Sequence, residues 1–369
     1  MTQLRLTRTI TPTMNASKLR ADTAGLGREA VIRIAPLAQV RERWKEFTES
    51  SPGATLYHRA AWTEALRRAY GFRILAATIE RDQEIAAGCL LARSRIPFVT
   101  RVVGLPFSDS CAPLGADDDA VRGLLVGLTQ AARIRGNIEI RGIEAPSPWR
   151  TIDCFLEWSL DLARPFSEIQ RTADRNFRRQ VRRAVEDGFR IDSGDSEEML
   201  GRFYRLQLQT RRRLGVPPQP LRFFALVREE FARTFDFEVW LASRGGIDHA
   251  SVVLLRDGAT LYAKWSARAL HGADGASHLV FFSMLEHYAG KAAAFDLGRT
   301  DVRNTGLARF KTEMGAVPSR LPYSYFPDLR HALSAESPDR SAGLFAQIWR
   351  RLPLAITRAI GATAYRFLG

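Results

Sequence analysis

The chain has 369 residues, 46% of them hydrophobic, and this length favours two domains over one. Its formal net charge of +14 and pI of about 10.4 favour an anionic partner, such as a phosphorylated cofactor, nucleic acid or an acidic membrane face, without ranking the three. The three cysteines lie far apart without a CxxC pair, which argues against a disulfide framework or a zinc site and suits a reducing cytoplasm.

The first 28 residues are rich in Thr, Arg and Ala and contain no apolar run long enough for a secretory signal. This composition predicts a disordered tail over residues 1–28, with a transit peptide as the alternative. No stretch approaches the roughly 18 apolar residues that a transmembrane helix needs. We therefore expect a cytoplasmic protein that is soluble or peripheral on the inner face of the cytoplasmic membrane.

Residues 29–163 predict one mixed α/β unit. A short strand from Val31 leads into two helices and then three strands, RILAATIE, EIAAGCLLARSRI and RVVGL. The loop PFSDSCAPLGADDD precedes a helix that runs to about Arg135. The strand NIEIRGIE and the alternating strand FLEWSLDL complete the unit.

Residues 164–330 predict the same order of elements a second time. A basic helix near Asp174 to Glu186 and the strand FRIDSG precede two helices and three strands, whose turns contain Gly-Gly and Asp-Gly. A loop over 269–277, a helix over 278–289, the strand AAFDLG, a helix over 307–314 and the strand SRLPYSYF follow. The pattern indicates an α/β protein with mixed sheets, made of two tandem domains that meet near Ala163 to Ser167.

This order of elements resembles the GNAT acyltransferase fold, and its doubled form resembles the FemAB-like family and its relatives in bacterial envelope-polysaccharide systems. The resemblance runs from about residue 30 to 330. It rests on four segments in the family's order, YHRAAWTEALRRAYG, LPFSDSCAPLG, QTRRRLGVPPQPLRFF and FDLGRTDVRNTGLARFKTEMGA. It implies transfer of an acyl or aminoacyl group to an amine or hydroxyl, usually on a cell-envelope precursor, at a site between or beside the domains.

The loop over 269–277, which leads into the helix over 278–289, is the predicted donor site. Its small residues let the backbone approach an anion, and the amides of the following helix favour a pyrophosphate. The resemblance implies that acyl-CoA binds there, although the usual R/Q-x-x-G-x-G/A pattern is absent and an ordinary turn is the alternative. We expect Ser277 to cap the helix. The residues of this predicted cradle are Gly272, Gly275, Ala276, Ser277 and His278.

The stretch FDLGRTDVRNTGLARFKTEMGA concentrates charge between a strand and a helix. Gly298 is expected to end the strand, with the next charged residues in a loop. In the helix, Leu307 belongs to the apolar stripe, and Lys311 lies about 40° from it. We predict a cationic pocket for phosphate or an oxyanion, with an Asp–Arg network that merely fixes the loop as the alternative. The charged residues of this pocket are Asp296, Arg299, Asp301, Arg303 and Lys311.

Further candidate residues lie outside that stretch. Asp109 follows the strand RVVGL of the first domain and is either an acceptor-docking carboxylate or a turn cap. His58 precedes a helix and is either a base or a capping group. We expect Arg211, Arg212 and Lys264 to contact substrate. No Ser–His–Asp order or metal spacing is present, which disfavours a hydrolase triad and a metalloenzyme.

Two basic segments bear on the choice of donor and partner. The helix RNFRRQVRRAVEDG presents one strongly positive side, which suits RNA or lipid phosphates or is simply solvated. Family members that use aminoacyl-tRNA carry a long helical arm, whereas here two ordinary helices flank GVPPQP, so acyl-CoA is favoured over tRNA. In the tail, residues 331–369, Pro353 predicts two short basic helices that lie on an anionic membrane or pack on the second domain.

The most specific function that these observations support is N-acyl transfer from acyl-CoA to an amine of an envelope glycan, lipid-linked sugar or peptide precursor. The first alternative is an aminoacyl-tRNA-dependent transferase that acts on an envelope precursor. The second is a catalytically silent protein that binds membrane or polysaccharide-assembly proteins. Neither DNA nor a metal ion is expected as a partner.

Overall fold

The computed structural model describes residues 31–96, 99–131, 136–232, 236–270, 275–327, 344–354 and 356–358. The predicted tail over 1–28 lies outside these residues, and so does most of 331–369. Among the described residues, no helix is long and apolar enough to cross a membrane. The three cysteines are buried and free.

The first half follows the predicted order, with helix α3 ending earlier than expected. Short 3-10 turns at Leu37–Gln39 and Leu56–His58 precede its first two helices. Its elements are β1 (Arg33–Pro36), α1 (Arg41–Ser50), α2 (Ala60–Tyr70), β2 (Arg73–Arg81), β3 (Glu84–Ile96), β4 (Val99–Val103), β5 (Leu114–Gly115), α3 (Asp118–Gln130), β6 (Asn137–Arg141) and β7 (Arg150–Asp161).

The second half repeats this order after one helix that was not predicted, α4, which buries Ile169. The other predicted helices and strands are present within a few residues of their expected ends. The elements are α4 (Phe166–Thr172), α5 (Arg175–Glu186), β8 (Arg190–Gly194), α6 (Glu197–Leu214), α7 (Leu221–Ala232), β9 (Phe237–Arg244), β10 (Ile247–Asp257), β11 (Thr260–Arg268), α8 (Ala276–Tyr288), β12 (Ala294–Asp301), α9 (Thr305–Glu313), β13 (Val317–Phe326) and α10 (Leu344–Arg351).

All strands join one sheet, which confirms the α/β class with a mixed sheet. The order along the sheet is β1-β2-β3-β4-β6-β13-β7-β12-β11-β10-β9-β8, and β5 pairs with β3. Pairs β4–β6 and β11–β12 are parallel, whereas the other pairs are antiparallel. The last strand of each half is exchanged, because β13 lies between β6 and β7 and β7 lies between β13 and β12. The domain limits 29–163 and 164–330 therefore remain a prediction about the sequence repeat.

Aromatic side chains join the two halves on one side of the sheet. Trp62 of α2 stacks on Trp265 of β11, with ring centroids 6.1 Å apart, and meets Phe223 of α7 edge to face. Tyr70 of α2 also contacts Phe223. Each such pair contributes about 0.5–1.5 kcal/mol beyond its area burial. This packing fixes α2, and the turn before it, against β11.

Helix α10 packs on the second half, which was one of the two alternatives for the tail. Trp349 is buried. Arg212 Nε donates to the Arg350 carbonyl over 3.0 Å, and Arg350 Nε donates to the Arg213 carbonyl over 3.2 Å. These reciprocal bonds fix α10 to the C-terminal end of α6.

Candidate active site

The candidate site lies where two parallel strands diverge. Strands β11 and β12 pair only from Thr260–Ala294 to Tyr262–Asp296. Beyond that point β11 continues beside β10, and β12 continues beside β7. The side chains that meet at this divergence come from both halves of the chain.

Asp109, from the first half, is the central carboxylate of the site. Lys264 Nζ of β11 donates to Asp109 Oδ2 over 2.8 Å and to the Tyr57 hydroxyl over 2.9 Å. The Tyr57 hydroxyl in turn donates to Asp109 Oδ2 over 3.1 Å. The ammonium also lies 4.6 Å from the Tyr57 ring centre and 5.4 Å from that of Trp62. The Lys264 side chain is only 4% exposed, against 22% for Asp109, so the lysine supports the carboxylate from behind.

Arg299 forms the solvent side of the site. Its Nε lies 3.6 Å from Asp109 Oδ1, and its side chain is 37% exposed. Its Nη1 donates to the Tyr323 hydroxyl over 2.6 Å, and that hydroxyl donates to the Asp109 carbonyl over 2.8 Å. The guanidinium lies 4.5 Å from the Phe155 ring centre. Arg299 is thus held in place while its side chain stays partly exposed, and a guanidinium in that position suits an anion.

Opposing effects set the charge of Asp109. Burial raises the pKa of this carboxyl, but the charges of Lys264 and Arg299 outweigh it and lower the pKa to about 2. Asp109 is therefore ionised at neutral pH and is a weak base. Its chemistry is electrostatic, because it holds two cations at the divergence of the strands.

Two further carboxyls have the opposite tendency. Burial raises the pKa of Glu157 on β7, and the negative charges of Asp296 and Asp109 raise it further. Burial also raises the pKa of Asp296, although the Gly298 amide that donates to Asp296 Oδ1 opposes the shift. A carboxyl whose pKa approaches neutrality can accept a proton from an amine and release it again, which an exposed acid does poorly.

Lys311 of α9 reaches the same place from behind β12. Its Nζ donates to the Gly298 carbonyl over 2.8 Å and to the Arg299 carbonyl over 3.3 Å, and burial lowers its pKa to about 8. The residue is 4% exposed, whereas Leu307 of the predicted apolar stripe is 37% exposed. The expected order of burial is therefore reversed. Lys311 positions the backbone that carries Arg299, and its charge adds to the positive field.

A bulge in β12 creates this geometry. The prediction that Gly298 ends the strand is wrong, because β12 runs to Asp301 and its register against β7 shifts between the pairs Asp296–Ser159 and Arg299–Glu157. Gly298 has φ +68°, a left-handed conformation that glycine adopts readily. The bulge directs Arg299 toward Asp109, so Arg299 and Asp301 are strand residues and not loop residues.

We expect Gly298→Ala to cost about 1–2 kcal/mol of stability, because an L-residue is strained at this φ. Its new methyl group would also lie 3.4 Å from Asp109 Oδ2, so the activity of the site should fall as well. Gly258→Ala is the matched control, since Gly258 has φ +58° and no neighbour within 4 Å of a Cβ. Urea unfolding and an activity assay on both variants separate the effect on stability from the effect on the site. If both variants lose the same stability and keep full activity, Gly298 is needed only for its backbone conformation.

Asp301 and Arg303, two residues of the predicted pocket, pair with each other. Arg303 Nε donates to Asp301 Oδ1 over 2.9 Å, and the pair lies after the bulge with both side chains partly exposed. Asp301 therefore helps to fix the turn before α9, where it also accepts the Arg303 amide. For these two residues the structure shows the Asp–Arg network that was the alternative to a pocket for phosphate or an oxyanion.

His58 occupies a structural position. The Thr55 amide donates to His58 Nδ1 over 3.0 Å, and His58 Nε2 lies 2.9 Å from the Ala112 carbonyl. Burial lowers the pKa of the imidazole to about 4. Both ring nitrogens are used in joining two loops, so we assign His58 a capping role and not that of a base.

The predicted donor cradle is described only in part, since Gly272 lies outside the described residues. Helix α8 begins at Ala276, and its N-cap is Gly275, not Ser277 as predicted. A Cβ on Gly275 would lie 2.6 Å from the Gln180 carbonyl of α5, so this glycine permits close helix packing. Next to it, the His278 ring contacts Phe177 and Phe310. Close packing of α8 against α5 therefore explains why residue 275 is a glycine.

The predicted substrate contacts divide into two places. Lys264 lies in the Asp109 cluster. Arg211 and Arg212 lie at the end of α6, where Arg211 Nε donates to the Pro217 carbonyl and Arg212 bonds to α10. The part of the chain that the structure describes contains no group of three or more His, Cys, Asp or Glu arranged for a metal ion.

Sequence reasoning missed Tyr57, Glu157 and Tyr323. Tyr57 directly precedes His58 in a segment that was identified for its resemblance. Glu157 is an acid between the apolar residues of a strand, and this was the available signal. Tyr323 carries no signal of its own, because its role depends on strand exchange.

The chain is similar in sequence to one known domain family and in structure to several solved proteins. Residues 171–312 match the family model described as an acetyltransferase (GNAT) domain. No curated protein shows significant sequence similarity to the chain. The structure is similar to that of FemX, with a TM-score of 0.61, 15% identity, and coverage of 80% of this chain and 98% of that one.

Two further solved structures share the fold. The C-terminal domain of a putative lysylphosphatidylglycerol synthetase from Agrobacterium fabrum gives a TM-score of 0.53 at 12% identity, over 81% of this chain and 95% of that one. L-PGS from Bacillus licheniformis gives 0.52 at 16% identity, over 80% and 95%. At these identities the likeness establishes the fold, and the chemistry must be argued from the residues of this chain.

Proposed function

We propose that the chain is a transferase of the GNAT superfamily and, more specifically, an N-acyltransferase. The proposal is supported by the match of residues 171–312 to the GNAT acetyltransferase family model and by the FemX-like fold. In this proposal acyl-CoA is the donor, and an amine of an envelope glycan, lipid-linked sugar or peptide precursor is the acceptor. The protein works in the cytoplasm at the inner face of the cytoplasmic membrane.

One observation carries the proposal. Three carboxyls and three cations converge where β11 and β12 separate, and the environments of the carboxyls differ. The pKa of Asp109 is lowered to about 2, whereas the pKa values of Glu157 and Asp296 are raised. Carboxyls whose pKa values are moved apart in one site are the pattern of a fixed charge beside a proton acceptor.

The residues take the following roles. Glu157 and Asp296 accept the proton that the acceptor amine loses. Arg299, whose side chain is partly exposed, stabilises the negative charge that develops on the acyl oxygen. Lys264 and Tyr57 fix the Asp109 carboxylate, and Asp109 in turn holds Arg299 in position.

The donor supplies an activated thioester carbonyl, and the chain must position it. Among the described residues, the first-turn amides of α8, from Ala276 to His278, are the groups that suit its pyrophosphate. An α-amine of pKa near 8 costs only about 1.4 kcal/mol to deprotonate at pH 7, so positioning contributes more than a strong base.

An aminoacyl-tRNA donor is the second candidate, because α5 presents an exposed arginine face. Arg175, Arg178 and Arg182 lie at spacings of three and four residues, which places them on one side of the helix. All three are exposed. Such a face binds the phosphates of a nucleic acid without sequence preference.

The test is calorimetric titration with acetyl-CoA and a longer acyl-CoA, followed by release of free thiol in the presence of an amino sugar, a lipid-linked amino sugar and an amine-bearing peptide. We expect low-micromolar donor binding, about −8 kcal/mol, and thiol release that depends on one acceptor class. Arg299→Gln should abolish turnover, with Arg309→Gln on exposed α9 as the matched control.

Two results would overturn the proposal. No heat with any acyl-CoA from a folded protein, together with transfer from aminoacyl-tRNA, would establish the second candidate. If the protein transfers a group from neither donor, the remaining alternative is a catalytically silent protein that binds membrane or polysaccharide-assembly proteins.

A further inference from the structure

A patch of arginines surrounds the C-terminal end of α6, outside the candidate active site. Thr210 joins α6 to the end of β11, because its hydroxyl bonds to both the carbonyl and the amide of Arg268. Helix α10 is joined to the same end of α6 by the Arg212–Arg350 and Arg350–Arg213 contacts. We call the surface formed by the C-terminal end of α6, the end of β11 and the described residues from 344 to 358 the α6–α10 face. Among the arginines of these segments are Arg212, Arg213, Arg268, Arg350, Arg351 and Arg358.

The segments that form the α6–α10 face carry arginines and no acid of their own. No Asp or Glu occurs in residues 205–228, 258–270 or 344–358. Burial lowers the pKa of Arg213, and the neighbouring charge of Arg268 lowers it further. Like charges held together by fixed backbone contacts store repulsion that an anion would relieve.

Exposed apolar side chains lie among these arginines. Leu214 ends α6, Leu270 follows β11, and Ile356 follows α10, and each is between 40% and 45% exposed. The Leu270 amide donates to Gln209 of α6, so this leucine is held beside the same helix. Large apolar residues exposed next to cations are typical of a surface that enters the interfacial layer of a bilayer.

We infer that the α6–α10 face docks on an anionic phospholipid surface, with its arginines on lipid phosphates and Leu214, Leu270 and Ile356 in the acyl boundary. The occupant is a membrane and not RNA, because the face offers leucine and isoleucine at its surface while its tryptophan, Trp349, is buried.

The position of this face suits the proposed acceptor, and this step rests on the proposed function. Arg268 follows Lys264 by four residues on β11, which is about 13 Å along a strand. A lipid-linked precursor whose phosphate lies at the bilayer surface would thus reach the site along the direction of β11. The docking itself requires no catalysis and is tested separately.

The experiment is flotation of the full-length protein with vesicles of phosphatidylcholine alone and with 30 mol% phosphatidylglycerol. We expect binding only to the anionic vesicles, weakened by salt. The triple variant R268Q/R351Q/R358Q should bind about 100-fold more weakly, since each arginine near an anionic surface contributes about fivefold. A second variant, L214S/I356S, should weaken binding without changing charge.

The matched control is R175Q/R178Q/R182Q on α5, which removes the same charge from another exposed surface. It should retain nearly all vesicle binding, and circular dichroism should show each variant folded. Equal loss in the control and the triple variant would reduce the effect to net charge and overturn the inference. Binding to RNA in preference to vesicles, or equal binding to neutral vesicles, would overturn it too. Because no donor is present, these outcomes are independent of acyl transfer.

Discussion

Glu157→Gln should lower the rate of acyl transfer by about two to four orders of magnitude, the range that a positioned general base contributes. Glutamine preserves the shape of the side chain but accepts no proton at neutral pH. Asp296→Asn should have a smaller effect, because the Asp296 carboxyl already accepts the Gly298 amide. Stability should not fall in Glu157→Gln, since the raised pKa of Glu157 means that ionisation is disfavoured at this position and a neutral amide avoids that cost.

The pH profile identifies the groups. A raised pKa means that the carboxyl is still protonated where an exposed acid, with a pKa near 4.3, is ionised. In the wild type, kcat/KM should therefore rise with pH above this ordinary range as the Glu157 and Asp296 pair loses its proton. In Glu157→Gln this rising limb should be displaced or lost.

Asp153→Asn is the matched control, because Asp153 lies on the same strand, is exposed and pairs with Arg320. It should leave both the rate and the pH profile unchanged. A Glu157→Gln variant with the wild-type profile would show that another group takes the proton, and a similar loss in Asp153→Asn would point to a general effect on β7.

Much of the fold is readable from the sequence because both halves repeat one order of periodic segments. Strand bounds such as Glu84–Ile96 and Thr260–Arg268 match the predicted ends, since turn residues flank uninterrupted β patterns. The exchange of β7 and β13 is not readable, because local pattern does not specify which strand pairs with which. This exchange places Glu157 in a central strand, although its alternating sequence predicted one polar face.

The candidate site shows the same division. Asp296, Arg299 and Lys311 were found as one charged stretch, and Asp109 and Lys264 were found separately. Their convergence depends on a contact between residues 155 positions apart, which no local rule contains. The sequence pattern predicts a strand end at Gly298, because a glycine is typical both of strand ends and of bulges within a strand. Helical spacing predicted the angle between Lys311 and Leu307 around the helix axis, but it did not predict that Lys311 is the more deeply buried of the two.

Arg141→Met should cost about 3–5 kcal/mol of stability, because it leaves a buried carboxylate without its cation. Arg141 Nε donates to Glu139 Oε1 over 2.8 Å on β6, and both side chains are buried. The guanidinium also donates to the Ser108 carbonyl over 2.6 Å, directly before Asp109. Urea unfolding measures the loss of stability.

The loop that Arg141 holds is unusual. Leu105 and Phe107 both have positive φ, at 53° and 60°, which non-glycine residues adopt only when their surroundings enforce it. Trp62 Nε1 donates to Ser108 Oγ over 2.8 Å and supports the same loop. Loss of Arg141 should therefore release the backbone that positions Asp109.

The double variant Glu139→Met/Arg141→Met separates stability from positioning. Replacing both members of a buried ion pair by apolar residues of similar size is often neutral or stabilising, so most of the lost stability should return. Activity should stay low, because the Ser108 carbonyl still lacks its donor and Asp109 is less firmly placed. A double variant as unstable as Arg141→Met would contradict the ion-pair account. One that regains both stability and full activity would show that Arg141 does not position Asp109, and the Trp62 contact would then suffice to hold the loop.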